Sequence, residues 1–189
     1  NAGRAQLGWF ETIPDDDMRQ QFEVNLFGAM SVARAVLPTM RRQRSGLLVT
    51  ISSVNGLVSN PGGSVYSSSK FALEGWMEGL AEEIAPLGIR SLVVNPGMMR
   101  TNFLDPSRAR QGNVEIADYA EAVAGFRAFI TQANGAQQND PEALSALIVA
   151  EASSAEPARR LLFGRDAHDW ARAKCQQLAA EIDASRARA

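Results

Sequence analysis

Long segments with apolar residues three and four apart alternate, along the whole chain, with short runs that are apolar throughout. Leu26, Met30, Ala33, Leu37 and Met40 mark one helical face in a stretch from about Thr12 to Arg44. Leu47–Ile51 then reads as a buried strand, and Phe71, Leu73, Trp76, Met77, Leu80 and Ile84 mark a second long helix over about Ser64–Ala85. Ile89–Val94 is a second strand, closed by Asn95-Pro96-Gly97. A helix from near Asp140, a strand at Arg160–Phe163 and an Arg/Ala-rich amphipathic helix complete the chain. Such alternation predicts a parallel sheet covered by helices on both faces, a three-layer α/β/α arrangement. Ligands of such sheets bind at the carboxyl ends of the strands, here the Ser52–Gly63 and Asn95–Thr101 loops.

Composition narrows the function. A net charge of -2 offers no basic field for nucleic acid. No apolar run approaches the roughly 20 residues of a membrane span. A single cysteine, Cys175, cannot form an internal disulfide and fits a reducing, cytoplasmic compartment. It reads as a helix-face thiol, and the lone His168 as a surface residue. No Cys/His/carboxylate set has metal-ligand spacing, so no metal is expected.

Tyr66 and Lys70 stand out because they are four apart at the start of a helix, and so face the same way. The chain has only two tyrosines and two lysines. A nearby ammonium favours a phenolate, which would bring tyrosine from its ordinary pKa near ~10 toward the working range. Tyrosine could then exchange a proton with a carbonyl or alcohol oxygen, and the hydroxyl of Ser53 could hydrogen-bond the same oxygen.

Asn1-Ala2-Gly3, Asn25, Ile51-Ser52-Ser53, Tyr66-Ser67-Ser68-Ser69-Lys70 and Asn95-Pro96-Gly97-Met98-Met99-Arg100-Thr101 resemble, in order and spacing, the signatures of classical short-chain dehydrogenases/reductases. Tyr66 follows Ser53 by thirteen positions, as in that family. The resemblance implies a Rossmann-like doubly wound parallel sheet and an NAD(P)-dependent oxidoreductase that interconverts an alcohol and a ketone or aldehyde. It implies catalytic roles for Asn25, Ser53, Tyr66 and Lys70: Tyr66 as acid/base, Lys70 as its partner and ribose ligand, Ser53 as substrate orienter. Asn25 would hold the water of a proton relay, or else serve as a polar kink residue. Asn1, Ala2, Gly3, Pro96, Gly97, Met99 and Thr101, with Tyr66 and Lys70, would face the cofactor. The stretch from about 98 to 135 takes the place of the family's substrate loop. Its Met and Phe content fits either an apolar substrate or plain core.

The family's glycine-rich pyrophosphate turn is not found in this sequence, and Gly62-Gly63 lies elsewhere. The expectation is therefore one domain over residues 1–189, about the C-terminal two-thirds of a Rossmann domain, lacking its first strands. Roughly three βα steps of about 30 residues each would precede it. Alone, such a chain should bind dinucleotide poorly and aggregate. The residue that selects NAD or NADP is not among those present. An inactive fragment, an epimerase or dehydratase sharing the Tyr/Lys pair, and a nucleotide-sensing protein are the alternatives. The resemblance also implies a homodimer or homotetramer. Gly75 and Gly79, on a helix face away from Tyr66, would suit close packing there.

Overall fold

The computed structural model describes residues 1–188. Strand β1 (Ala5–Leu7) leads through a single 3-10 turn to helix α1 (Asp15–Phe22). Pro14 precedes α1, and Asp15, Asp16 and Asp17 fill its first turn, where carboxylates suit the positive end of the helix dipole. A π-helical turn, Glu23–Phe27, joins α1 to helix α2 (Gly28–Gln43). The expectation of one α-helix from Thr12 to Arg44 is thus corrected: Thr12 lies in the 3-10 turn and Asn25 in a local widening of the helix. Pro38 does not end α2, which runs on until Arg44 turns into the left-handed region at φ 53°.

Strand β2 (Gly46–Ile51), helix α3 (Ser64–Ile84) and strand β3 (Ile89–Pro96) follow in the predicted order. The expected burial of Leu47–Ile51 is corrected: β2 is an edge strand, half-buried along its length with Val49 exposed. The stretch from Met98 to Gly135 is more regular than its sequence suggests. It holds strand β4 (Ala109–Gln111) and a fourteen-residue helix, α4 (Ala120–Ala133). Helix α5 (Pro141–Ser153) is capped by the Asp140 side chain, which accepts from the Glu142 N–H at 3.0 Å. Strand β5 (Arg160–Phe163) and helix α6 (Arg165–Arg186) close the chain.

The main sheet has the order β2-β3-β5, all parallel, with Gly46 opposite Ile89 and Val93 opposite Arg160. Alternation along β3 sends successive side chains to opposite faces. Ile89 and Val93 pack with Ala33, Met77, Leu80 and Ile84 from α2 and α3. Leu92 and Val94 pack on the other side with Leu144 of α5. Helices therefore cover both faces, and the chain has the α/β parallel architecture of a Rossmann-like domain lacking strands. A second parallel ladder, β1 with β4, lies apart from this sheet. Among the described residues no helix is long and apolar enough to cross a membrane.

Candidate active site

The carboxyl ends of β2 and β3 open onto a cavity of about 740 Å³, and the start of α3 forms its side. Gly62, at φ +77°, adopts a backbone conformation that side chains resist, and the Phe126 ring lies where its Cβ would be. The chain thus turns sharply into α3 and delivers Tyr66 to the cavity within one turn. The Tyr66 ring is buried among Ala5, Leu7, Ala109 and Ile130, and its centroid lies 5.6 Å from that of Phe103.

Lys70 follows one turn later, its Nζ 6.0 Å from the Tyr66 ring centroid. The ammonium donates to the Ile51 carbonyl at 3.0 Å, tying α3 to the end of β2. Just beyond Ile51, the Ser53 Oγ accepts from the Asn55 N–H at 3.1 Å. Its own O–H stays free to donate, and Ser53 favours the ionised form of Tyr66.

Burial governs the charges of the pair. It pushes Tyr66 up from 10.0 to about 12, and the Ser53 hydrogen bond only partly opposes this. It pulls Lys70 down from 10.5 to about 8, against the attraction of Glu74. The expectation that the ammonium dominates and lowers the tyrosine is corrected. Desolvation disfavours both charged forms and outweighs it. At neutral pH Tyr66 is therefore a protonated phenol beside a lysine that is still largely charged, a donor facing the cavity.

This lysine carries a stability signature. Between about pH 8 and 10.5 the unfolded chain holds more protons at Lys70 than the folded one, so stability rises with pH across that window. Urea unfolding at about pH 7.5 and pH 9.5 should show this rise in the native protein and a smaller one in Lys70→Met. Equal slopes in the two proteins would contradict it.

The other wall of the site is the turn after β3. Asp166, in the first turn of α6, accepts from the Met98 N–H at 2.7 Å and from Asn139 Nδ2 at 2.9 Å. Asn139 Nδ2 also donates to the Met98 carbonyl at 3.0 Å. A Cβ on Gly97 would fall 2.2 Å from Asp166 Oδ1, so the turn is pressed against that carboxylate. Thr101 is exposed, and its hydroxyl caps the following 3-10 turn. Pro96, Gly97, Met99 and Thr101 line the same cavity as Ser53, Tyr66 and Lys70, and so do Asn1, Ala2 and Gly3.

Asn25 stands apart. Its side chain is buried and does not line the cavity. Its Oδ1 accepts from the Arg4 N–H at 2.8 Å, and its Nδ2 donates to the Arg4 carbonyl and to Ser69 Oγ, both at 3.1 Å. Gln21, one helical turn earlier, donates to the Arg4 carbonyl at 2.8 Å and accepts from the Gln6 N–H at 2.7 Å. These amides hold β1 against α3, a function the sequence reading missed. The spacing of Gln21 and Asn25 on one helix face was the available signal. Asp166, Asn139 and Glu74 were also missed.

Residues 1–112 match the family described as short chain dehydrogenase. The chain belongs to the short-chain dehydrogenase family. Its fold agrees with that of a short-chain dehydrogenase from Streptomyces avermitilis, with a TM-score of 0.86 and 38% identity, covering 100% of this chain and 70% of that one. Among curated relatives, oxidoreductase BOA17 of Botryotinia fuckeliana (strain B05.10) is 34% identical over 95% of this chain and 65% of its own. Human retinol dehydrogenase 8 is 34% identical over 85% of this chain and 53% of its own. Two more distant structures hold a nucleotide. 4-Hydroxyisoleucine dehydrogenase complexed with NADH and succinate is 30% identical, with a TM-score of 0.50 over 51% of this chain and 46% of that one. A tyrosine-to-phenylalanine variant of ElxO with NADPH bound is 30% identical, with a TM-score of 0.54 over 57% and 44%. This short-chain dehydrogenase chain spans between about half and two-thirds of the length of these curated relatives.

Proposed function

We propose that this oxidoreductase interconverts an alcohol and a ketone or aldehyde, using NAD or NADP, with Tyr66 as the acid/base. The observation that carries the reading is the convergence of Ser53, Tyr66 and Lys70 on one cavity with the Pro96–Gly97 turn. That cavity fits a dinucleotide's nicotinamide end: Lys70 places an ammonium at its wall, and Asn1–Gly3 line it just before β1. When bound, the nucleotide supplies or accepts the hydride. Every other task falls to the chain itself. Tyr66 gives its phenolic proton to the carbonyl oxygen in reduction and takes it back in oxidation. Ser53 orients that oxygen and hydrogen-bonds the tyrosine. The Lys70 ammonium favours the phenolate left after proton transfer. Asn25 is assigned a bracing role, tying the Arg4 backbone before β1 to Ser69 of α3.

Phe103, Phe126, Phe129, Ile130 and Ile148 make most of the remaining wall apolar. We assign an apolar substrate on that ground. The name of retinol dehydrogenase 8 is in keeping with this. Gly75 and Gly79 have open space where a Cβ would lie, and Phe71 on the same helix is 42% exposed. That face of α3 is the proposed contact of a homo-oligomer. The test of the catalytic reading is absorbance of NADH and NADPH in the complete gene product, offered apolar ketones, aldehydes, steroids and short polar carbonyls. Oxidation of either nucleotide by the apolar set supports the proposal. A protein that binds the nucleotide and turns over none of them refutes it.

A further inference from the structure

One buried ionic group lies outside the acid/base pair. Glu74 sits on α3 one turn beyond Lys70 and is only 6% exposed. Its Oε1 accepts from Asn95 Nδ2 at 2.6 Å, and its Oε2 accepts from the Arg160 guanidinium of β5. Asn95 is wholly buried at the end of β3, and the same Nδ2 donates to the Ser53 carbonyl at 2.9 Å. Arg160 also donates to Asn95 Oδ1 at 3.1 Å. The loop after β2 closes the fourth side. A Cβ on Gly56 would fall 2.8 Å from Glu74 Cγ, so backbone packs directly on the carboxylate arm. One carboxylate thus touches, directly or through one amide, every segment that carries the proposed chemistry.

We infer that Glu74 is a positioning residue, holding the Lys70 helix turn, the Ser53 backbone and the Asn95–Gly97 strand end in one frame. The inference rests on the acid/base reading above. Ordinary structural ion pairs do not need this location. A carboxylate taken out of water carries a large desolvation penalty that its partners must offset, and here one guanidinium and one amide converge on it. Its charge also acts on Lys70, whose ammonium it favours against burial. The ionisable groups around that ammonium are Tyr66 and Glu74 on α3, with Arg160 of β5 reaching it through Glu74. The loop after β2 presents the Ile51 carbonyl and the uncharged Ser52–Asn55. Asp166 of α6 is engaged by Met98 and Asn139.

The test compares Glu74→Gln, Glu74→Asp and Tyr66→Phe in the complete gene product, reading kcat against pH, nucleotide KM and melting temperature. Glutamine keeps an acceptor for Asn95 and removes the charge. Lys70 then loses the neighbour that keeps it protonated, so the alkaline limb of kcat should move down by about one pH unit. We expect kcat at neutral pH to fall about tenfold with nucleotide KM within about twofold, the signature of a lost transition-state interaction. Aspartate keeps the charge but ends one methylene short of Asn95. It should keep the native limb with kcat lowered severalfold. Glu74→Gln with native kcat and limb, even with a lower melting temperature, would reduce Glu74 to a structural ion pair and overturn the inference. If glutamine prevents folding, aspartate decides alone, and native kcat in that variant overturns it. Should Tyr66→Phe retain turnover, the acid/base reading falls and this inference with it. If Tyr66→Phe is inactive and both Glu74 variants are native in behaviour, only the inference falls.

Discussion

Replacing Tyr66 by phenylalanine is expected to lower kcat by about 10²- to 10⁴-fold, the usual share of a positioned general acid. Phenylalanine keeps the ring that packs among Ala5, Leu7, Ala109 and Ile130, so the α3 start and its neighbours stay in place. It removes one hydroxyl, the group that Ser53 favours in its ionised form. Lys70 remains bonded to the Ile51 carbonyl, and the Pro96–Gly97 turn does not involve Tyr66. Nucleotide affinity should therefore stay within a few-fold of native. Ser53 does not substitute, because its hydroxyl is a far weaker acid than a phenol. Steady-state turnover with fluorescence titration of the nucleotide separates the two effects. Loss of both together would point to collapse of the site, and loss of neither would remove Tyr66 from the reaction.

The second large effect is expected at Gly97. A methyl group there would lie 2.2–2.4 Å from the Asp166 carboxylate, so Gly97→Ala must push that group aside. Moving it breaks the bonds from Met98 N–H and Asn139 Nδ2, at a cost of about 1–3 kcal/mol. The turn then loses its fixed place at the cavity wall, and nucleotide affinity should fall by about tenfold for each ~1.4 kcal/mol that reaches the binding site. Asp166→Ala alone breaks the same bonds. The double variant should therefore lose little beyond Asp166→Ala, because the clash has no partner left. Urea unfolding and nucleotide titration of the four proteins give the coupling. Additive losses would show that the alanine methyl strains the turn in some other way.

These two sites differ in how openly the sequence displays them. Tyr66 and Lys70 are joined by helix geometry alone, so a spacing of four is enough to see them as neighbours. Strand β3 and helix α3 were equally open, since each buries a continuous apolar run or stripe, whereas β2 was read as buried and lies half-exposed at the sheet edge. Strands β1 and β4 were hidden, because three residues carry no period and each exists by pairing with the other, Ala5 opposite Ala109. Helix α4 was obscured by the Gly, Asn and Gln mixed into and around it. The bracing groups were invisible for a different reason. Glu74 meets Asn95 across 21 residues and Arg160 across 86, while Asp166 meets Met98 across 68. Nothing local distinguishes such residues from solvated charges on a helix. The charge state of Tyr66 was misjudged because burial, which raises it, depends on β1, β4 and α4 closing over the ring.

In the proposed reaction hydride passes directly between nicotinamide and a carbonyl carbon while Tyr66 supplies the proton. The most direct measurement offers the complete gene product a nucleotide deuterated at the nicotinamide C4 and an apolar ketone in ordinary water. One stereochemical form of the label at C4 should deliver deuterium to the carbinol carbon, with an exchangeable solvent-derived proton on the oxygen, and Tyr66→Phe should abolish its appearance. Alcohol formed without deuterium from either form would exclude direct hydride transfer, and alcohol formed equally well by Tyr66→Phe would exclude Tyr66 as the proton donor.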